Sequence, residues 1–394
     1  MRLGFHYHVP AVYRDDSIYM PGYLGKFVDS LASYCESVTC FMHEPLLHEI
    51  KFMDYNIKFN NVKLVNIGKH TRVYKREVFG KYFVRNIYKY RHMVDIMLIR
   101  GPSPLLPYVA KAMGAAPVAL LLVGDYLKGI DALQQPWWRK EIIRLWAHWN
   151  TFKQDEIAKV SLTMVNSYEL LERYQKITKH VQKVQTTTLS AKDIFCRDDT
   201  CEGATIHLLY TGRIIKAKGL FEMIDALSQV NNGKTKVKLN IVGWAPRNST
   251  ILDELLLFGK AKGIDGEVIY HGYVPHGPQL YEHYKKADIY IMASTHSFEG
   301  FPRTIWEAMA QSLPVIATKV GSIPYQLTDG NNAILVEPRD SKALADAISE
   351  IASNKQLRQA LIKEGRKLAS QNTLEIQSKK MISELERYLR GQNE

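Results

Sequence analysis

The sequence predicts an α/β protein made of two doubly wound domains. The chain has 394 residues, enough for two domains of ordinary size, and 46% of them are hydrophobic, enough for two cores. In both halves β-rich segments alternate with segments of helical periodicity, a pattern typical of a parallel sheet covered on both faces. A polar stretch, Leu189–Thr205, separates the halves and is interpreted as a linker. We therefore expect one domain over residues 1–190 and another over residues 204–372.

Composition and charge narrow the class of protein. The net charge of +12 suits nucleic acid, acidic membranes or anionic substrates, but no helix-turn-helix, zinc-finger or RNA-binding signature accompanies it. The first ten residues contain no apolar signal core, and no apolar run reaches the ~18 residues of a spanning helix. The four cysteines lack zinc-like spacing, so reduced thiols are expected. The sequence thus predicts a cytoplasmic protein that is either free in the cytosol or peripheral on the inner face of the membrane.

The first half reads as a doubly wound sheet. A first helix is opened by Pro21, Gly22 and Gly25, a turn that either lets backbone approach a phosphate or is a plain turn. The expected strands are Arg2–Val9, Ser37–His43, Ile57–Ile67, Val94–Arg100, Pro117–Val123 and Ser161–Val165, with further helices at Leu105–Met113 and Tyr168–Lys176.

Ligands of such sheets bind beyond the carboxyl ends of the strands. In the first half the residues expected at this edge are His8, 100–103 and 124–126. Asp125 is the acidic candidate among them, either as a functional group or as an ordinary turn aspartate.

The second half repeats the same alternation. Strands are expected at Ile206–Gly212, Lys238–Gly243, Val268–Val274 and Ala287–Ala293, and helices at Leu220–Val230, Ile251–Lys262 and Thr304–Gln311. Three more helical stretches follow Val336, the last of them Thr373–Arg390.

The stretch 294–310, STHSFEGFPRTIWEAMA, holds the main candidate site. Pro302 suits the first turn of a helix, which places Glu299 in the preceding loop and Glu307 on the helix. Unpaired backbone N–H groups between the two glutamates can seat an anion, and the carboxylates can bind hydroxyls. A nucleotide sugar has both kinds of group, although two glutamates near a helix start can also be a helix-dipole feature.

Two cations are expected at the same edge. Arg213 and Lys218 lie in the strand-to-helix loop after Ile206–Gly212, where they can neutralise a leaving diphosphate, or they are a solvated pair. No Asp-x-Asp appears in the chain, so we expect no metal and no other cofactor.

The run SFEGFPRTIWEAMA, followed by LPVIATKVGSIPYQLTDGNNAILVEP, resembles the donor-site signature of retaining GT-B glycosyltransferases, more narrowly the family-four proteins, or glycosyl transferases group 1. The resemblance spans roughly the whole chain and is strong from about Ile206 onward. It implies two Rossmann-like domains facing across a cleft. It also implies that the C-terminal helix, residues 373–394, packs back on the first domain.

The resemblance also implies roles for individual residues. Catalytic roles fall to Glu299, which orients the sugar, and to Arg213 and Lys218, which stabilise the leaving diphosphate. The donor-binding positions it implies are Gly22, Gly25, Gly243, Gly272, Tyr273, Val274, Gly300, Phe301, Arg303 and Glu307, with Glu307 on the ribose hydroxyls. The family often carries a histidine where this chain has Gly124-Asp125-Tyr126, so Asp125, His6 or His8 is expected to supply that contact.

Two segments of the first half are rich in both cations and aromatic residues. They are Lys69–Arg91 and PWWRKEIIRLWAHWN, which begins at Pro136. A basic amphipathic helix with aromatic residues binds anionic membrane surfaces, and tryptophan favours the bilayer interface. Inward packing of the aromatic side chains, or a basic groove for the acceptor, are the alternatives.

The expected function is transfer of a hexosyl-type sugar from a nucleotide diphosphate sugar, with UDP as the expected nucleotide. The acceptor is a hydroxyl of a lipid-linked or growing polysaccharide, as in exopolysaccharide, capsule or lipopolysaccharide synthesis, and the anomeric configuration is retained. A sugar-nucleotide epimerase of the same architecture and a non-catalytic nucleotide-binding partner are the alternatives.

Overall fold

The structure is a computed structural model that describes residues 1–128, 130, 133, 135–231, 236–246, 249–296 and 300–393. The chain divides into two compact units. Unit 1 comprises Met1–Thr188 and Leu374–Glu394, and unit 2 comprises Leu189–Thr373.

Unit 1 is built on a parallel sheet of seven strands. The strands are β1 (Arg2–His6), β4 (Ser37–Glu44), β6 (Val62–Lys69), β7 (Ile96–Gly101), β8 (Val118–Leu122), β9 (Leu162–Val165) and β10 (Val181–Lys183). Their order in the sheet is β10-β9-β8-β7-β1-β4-β6, and each neighbouring pair is parallel. The chain therefore fills one side of β1 first and then the other, which makes the β1–β7 pair the switch point of the sheet.

A second, antiparallel sheet in unit 1 was not predicted. It consists of β2 (Val12–Arg14), β3 (Ser17–Met20) and β5 (Tyr55–Asn56). Strands this short carry little alternation for a sequence pattern to detect. The expected strand Ile57–Ile67 begins later than predicted, at Val62.

The helices of unit 1 cover both faces of its large sheet. They are α1 (Gly22–Ala32), α2 (Val73–Val78), α3 (Gly80–Phe83), α4 (Arg85–Tyr90), α5 (Leu106–Met113), α6 (Trp137–Ala158), α7 (Tyr168–Gln175) and α14 (Leu374–Asn393). One core contains residues of α1 and α14 and the other contains residues of α4 and α5. Gln377 of α14 accepts a hydrogen bond from the backbone of Gln185, and Tyr388 donates one to the carbonyl of Val160.

Unit 2 has a parallel sheet of six strands, in the order β13-β12-β11-β14-β15-β16. The strands are β11 (Thr205–Arg213), β12 (Lys236–Trp244), β13 (Val268–Tyr270), β14 (Ile289–Met292), β15 (Val315–Thr318) and β16 (Ile334–Val336). Its helices are α8 (Leu220–Asn231), α9 (Ile251–Ala261), α10 (Pro278–Lys286), α11 (Arg303–Ala310), α12 (Ser341–Ser353) and α13 (Lys355–Ser370). The predicted fold class, two doubly wound α/β domains, is confirmed.

The segment interpreted as a linker packs on unit 2. Leu189 is fully buried in the core of that unit. Further along, Arg197 donates a hydrogen bond to the carbonyl of Ala287, and Asp199 pairs with Arg358 at 2.6 Å. Charged side chains therefore hold the segment to the unit that follows it.

No helix in the described part of the chain combines the length and the apolar character needed to cross a membrane.

Candidate functional site

At the carboxyl edge of the unit 2 sheet, two glycines allow neighbouring backbone segments to approach each other closely. A Cβ on Gly219 would lie 1.8 Å from the carbonyl oxygen of Ala293, and one on Gly243 would lie 1.8 Å from that of Gly212. Both glycines also have positive φ angles, +69° and +157°. Only glycine tolerates both conditions, so this edge is lined by closely packed backbone.

Arg213 and Lys218 both project from this edge. Arg213 is the last residue of β11 and is exposed, and the hydroxyl of Tyr210 donates to its carbonyl oxygen at 2.7 Å. Lys218 ends a single 3-10 turn just before Gly219 and is half-buried. The backbone N–H of Thr295 donates to the carbonyl of Ala217 at 2.9 Å, which ties this loop to the segment after β14.

The helix that follows β14 is α11, and it begins as the sequence indicates. Pro302 precedes it, and Arg303 is its exposed first residue. Gly300 is exposed, and the ring of Phe301 lies 4.3 Å from that of Trp306. Glu299 lies outside the described residues.

Glu307 is almost completely buried, with 4% of its surface exposed. The hydroxyl of Tyr284 on α10 donates to its Oε2 at 2.9 Å, and Nε2 of His276 lies 3.4 Å from its Oε1. A carboxylate has about four lone-pair positions. The two neighbours therefore orient Glu307 and still leave it able to accept hydrogen bonds from a ligand.

A chain of hydroxyls continues from Glu307 into the core. Tyr284 lies 2.7 Å from Thr211 Oγ1, which is 3.3 Å from the hydroxyl of Tyr290, and Tyr290 donates to Thr304 Oγ1 at 2.7 Å. Burial, and after it the negative charge of Glu307, raises the pKa of Tyr284 well above its usual range. Tyr284 therefore stays protonated and keeps donating to the carboxylate.

His276 is the site residue that sequence reasoning missed. The run HGYVPHG carries no spacing rule that would link His276 to a glutamate 31 positions later, so the sequence predicts a loop or core histidine rather than a ligand-binding residue. The structure places it in the loop before α10, against both Glu307 and the hydroxyl of Tyr281 at 3.2 Å. Tertiary packing alone brings these groups together.

The ends of β12 and β13 also meet at this edge. The N–H of Gly243 donates to the carbonyl of Gly272 at 2.8 Å, and Gly272 has a positive φ angle of +79°. Tyr273 is exposed, whereas Val274 packs partly against the core. The structure thus brings Gly243, Gly272, Arg213 and Glu307 to one end of one sheet.

Three predicted site residues of unit 1 have local structural partners. The Asp125 carboxylate accepts from the N–H of Leu127 at 2.8 Å and from Arg173 at 3.2 Å. The N–H of Gly22 donates to the carboxylate of Asp54 at 2.8 Å. A Cβ on Gly25 would lie 2.3 Å from the ring of Tyr55, so packing requires this glycine. A role for these residues in catalysis or donor binding stays a prediction.

A comparison with known protein families finds a match for most of unit 2. Residues 202–368 match the family described as glycosyl transferases group 1. The match covers most of unit 2 and less than half of the chain, and it includes Arg213, Gly243 and Glu307.

Among curated relatives, the chain is 25% identical over 202 residues to the putative teichuronic acid biosynthesis glycosyltransferase TuaC of Bacillus subtilis, covering 49% of this chain and 47% of TuaC. It is 29% identical over 158 residues to the capsular polysaccharide biosynthesis glycosyltransferase CapM of Staphylococcus aureus, covering 40% of each. These alignments thus span less than half the length of either relative.

Solved structures resemble the chain over nearly its whole length. HepE of Anabaena, solved with UDP, gives a TM-score of 0.71 at 17% identity and covers 98% of this chain and 100% of that one. Sucrose-phosphate synthase of Thermosynechococcus elongatus gives a TM-score of 0.71 at 17% identity and covers 99% of both chains. At this level of identity the likeness establishes the fold, which is that of the GT-B glycosyltransferases.

Proposed function

We propose that this chain, whose residues 202–368 are a group 1 glycosyl transferase domain, transfers a sugar from a UDP-sugar to an acceptor hydroxyl with retention of anomeric configuration. The acceptor is a lipid-linked or growing bacterial surface glycan. The names of TuaC and CapM, which concern teichuronic acid and capsule, support this class of acceptor.

One observation carries the proposal: two cations and an oriented carboxylate lie at the same end of one sheet. Arg213 ends β11, Lys218 lies in the turn that follows it, and Glu307 lies on the helix after β14, the neighbouring strand. Fixed cations stabilise charge that develops on a leaving diphosphate. The two cations serve that step without a metal ion, and Glu307 binds the ribose hydroxyls.

The remaining predicted residues complete the donor site in this proposal. Glu299 orients the transferring sugar, the N–H groups of Gly300 and Phe301 contact the same group, and Arg303 lies near the phosphates. Four further residues, Gly243, Gly272, Tyr273 and Val274, surround the nucleotide base. UDP is the nucleotide we favour, since HepE, which shares this fold, was solved with UDP.

The two basic aromatic segments form one surface of unit 1. Glu77 of α2 accepts hydrogen bonds from Lys153 at 2.9 Å and from Trp146 at 3.4 Å, so α2 and α6 lie side by side. The first segment forms three short helices, α2, α3 and α4.

Helix α6 has an apolar stripe that faces away from the unit. Five large apolar side chains repeat every three or four positions along it, and each is more than half exposed: Trp138, Ile142, Leu145, Trp149 and Phe152. Aromatic residues of the first segment, Tyr74, Phe79 and Tyr82, are also more than half exposed. We propose that this surface binds the anionic inner face of the membrane, where a lipid-linked acceptor is located.

The test of the donor site is a thermal-shift screen of the full chain against nucleoside diphosphates. A ligand that binds only the folded state raises Tm, and we expect UDP to do so. The shift should be lost in Arg213→Ala and in Glu307→Ala. The control variant Lys262→Ala should keep it, because Lys262 is the C-cap residue of α9 and pairs with Asp225. No shift with any nucleoside diphosphate would refute the donor-site proposal.

Turnover separates the proposed reaction from its alternatives. A transferase consumes UDP-sugar and glycosylates an acceptor, an epimerase converts the donor with no acceptor present, and a non-catalytic partner binds UDP but converts nothing. Activity that persists after chelation with EDTA would support the metal-free mechanism, and its complete loss would contradict it.

A further inference from the structure

A largely buried cluster of one arginine and three histidines lies at the carboxyl edge of the unit 1 sheet. It consists of Arg76 on α2, His6 at the end of β1, His8 just beyond it, and His43 near the end of β4. The strands β1 and β4 are neighbours, and β1 belongs to the switch point of the sheet. In doubly wound folds the ligand crevice forms at the switch point, here between β1 and β7, so the cluster lies directly beside it.

Arg76 is a buried cation that has no counter-ion among the described residues. Only 5% of its surface is exposed, and within that part of the chain its hydrogen-bond partner is the carbonyl of His8, at a long 3.4 Å from Nη1. Within the described part of the chain, no carboxylate lies within ion-pair distance of Arg76. The nearby acids have other partners, since Glu49 pairs with His70 and Glu77 with Lys153. Burying a charge in this way is unfavourable unless something pairs with it.

The histidines of the cluster also present unsatisfied atoms. His6 and His43 are both fully buried, and each directs Nδ1 to a backbone carbonyl, of Phe41 at 2.8 Å and of Gly68 at 3.1 Å. Their Nε2 atoms, the Nδ1 atom of His8 and the Nε atom of Arg76 are buried with no hydrogen-bond partner. Folded proteins satisfy nearly all buried polar atoms, so four such atoms in one cluster indicate a site for a ligand.

The charge of the cluster identifies the class of ligand. Arginine stays protonated and presents a planar fork of donors that matches the geometry of phosphate and carboxylate oxygens. Burial, followed by the charge of Arg76 among other groups, lowers the pKa of His8 to about 3, so this imidazole is neutral at pH 7. A bound anion would offset the charge of Arg76. That would favour the protonated form of His8, whose N–H group would then donate a hydrogen bond to the ligand.

A metal ion fits this cluster poorly. Across the part of the chain that the structure describes, no three side chains of His, Cys, Asp or Glu are arranged to hold a metal ion. The guanidinium of Arg76 would also repel a cation.

We propose that Arg76 and His8 form an oxyanion site that binds a phosphate group of the acceptor, while the Nε2 atoms of His6 and His43, whose Nδ1–H groups point to backbone carbonyls, accept hydrogen bonds from hydroxyl groups of the same ligand. Assigning the phosphate to the acceptor rests on the proposed function, whereas the oxyanion site itself does not. A phosphate bound here would fix the acceptor on unit 1 independently of the nucleotide bound by unit 2.

The test measures binding of inorganic phosphate and of geranyl diphosphate, a short soluble analogue of a lipid carrier. Both titrations use the full chain saturated with UDP, which keeps the probes out of the donor site. We expect the affinity of both probes to fall about tenfold or more in Arg76→Gln, the loss that corresponds to one charge-assisted hydrogen bond. Arg14→Gln, an exposed arginine on β2, is the matched control and should bind as the wild type does.

Stability separates a ligand-binding arginine from a structural one. If Arg76 binds a ligand, Arg76→Gln keeps or raises the Tm of the ligand-free protein while the phosphate-induced rise in Tm disappears. His8→Asn should weaken phosphate binding in the same way, and it provides the test should Arg76→Gln fail to fold.

The outcomes are distinct. Tighter binding of geranyl diphosphate than of phosphate supports the proposal and assigns the oxyanion to a lipid carrier, whereas equal affinities support a site that recognises phosphate alone. Absence of phosphate binding to the wild type, or equal binding by the wild type and both variants, overturns it. A UDP-induced shift that survives this failure would leave the proposed function standing, because the two sites are on different units.

Discussion

Replacing Tyr284 with phenylalanine tests the hydroxyl network that holds Glu307. The change removes one oxygen atom from the core of unit 2. The hydroxyl of Tyr284 donates to Glu307 at 2.9 Å and lies 2.7 Å from Thr211 Oγ1. In the variant, Thr211 Oγ1 still has the hydroxyl of Tyr290 as a neighbour at 3.3 Å. The main loss is therefore the hydrogen bond to a carboxylate that is 4% exposed.

The magnitude follows from the charge of the acceptor. A hydrogen bond to a charged group contributes about 1.5–3 kcal/mol to stability, against about 0.5–1.5 kcal/mol for a neutral pair. We expect Tyr284→Phe to lower the free energy of unfolding of unit 2 by the larger amount and to weaken UDP binding, because Glu307 loses a group that orients it. The matched control is Tyr290→Phe, which removes a hydroxyl whose partners, Thr211 and Thr304, are neutral.

The assay is chemical denaturation of the full chain with and without UDP. The transition that UDP shifts is assigned to unit 2, because a two-domain chain need not unfold in one step. Adding Glu307→Gln to Tyr284→Phe should recover part of the lost stability, since the buried charge is then removed. Equal losses in Tyr284→Phe and Tyr290→Phe, with unchanged UDP affinity, would show that Tyr284 does not support a charged Glu307.

Three further predictions follow from packing, titration and surface exposure. Gly243→Ala should destabilise the protein by at least about 3 kcal/mol, because the added Cβ would overlap the backbone. Gly263→Ala, also at positive φ but with open space around it, should cost about 1 kcal/mol. Equal losses in Tm would contradict the steric argument. Burial lowers the pKa of His43 to about 3 from a normal 6.5, so on acidification the unfolded chain binds a proton before the folded chain does. The free energy of unfolding should therefore fall as the pH drops below about 6.5, by about 1.4 kcal/mol per pH unit for one histidine. The slope should be shallower in His43→Gln, and an unchanged slope in unfolding midpoints measured against pH would argue against a buried neutral imidazole. Leu145→Ser combined with Trp149→Ser should abolish sedimentation with phosphatidylglycerol vesicles, while Leu257→Ser, an equally exposed leucine on unit 2, should not; vesicle binding that survives the double change would refute the membrane surface.

The fold was predictable because its signals are local. Apolar β-rich runs such as Ile206–Gly212 and the helix after Pro302 follow from backbone and side-chain preferences within about ten residues. Those local elements, in alternation, are sufficient to specify a parallel sheet with helices on both faces. Where the signal was too short or mixed, as in β2, β3 and β5, prediction failed.

The site was predictable only in part. The sequence placed Arg213, Lys218 and Glu307 next to strand ends, and the parallel sheet necessarily brings those ends to one edge. It also indicated the basic aromatic segments, but not that α6 would turn its apolar stripe outward.

The meeting of distant side chains follows from the folded structure and not from any sequence pattern. His276 and Tyr284 contact Glu307, and Arg76 is buried beside His8, although no spacing rule connects them. The fold class, and the strand ends that carry the predicted donor-site residues, could be read from the sequence because both depend on local periodicity. Partners, burial and unsatisfied polar atoms depend on packing between elements far apart in the chain, and only the folded structure defines them.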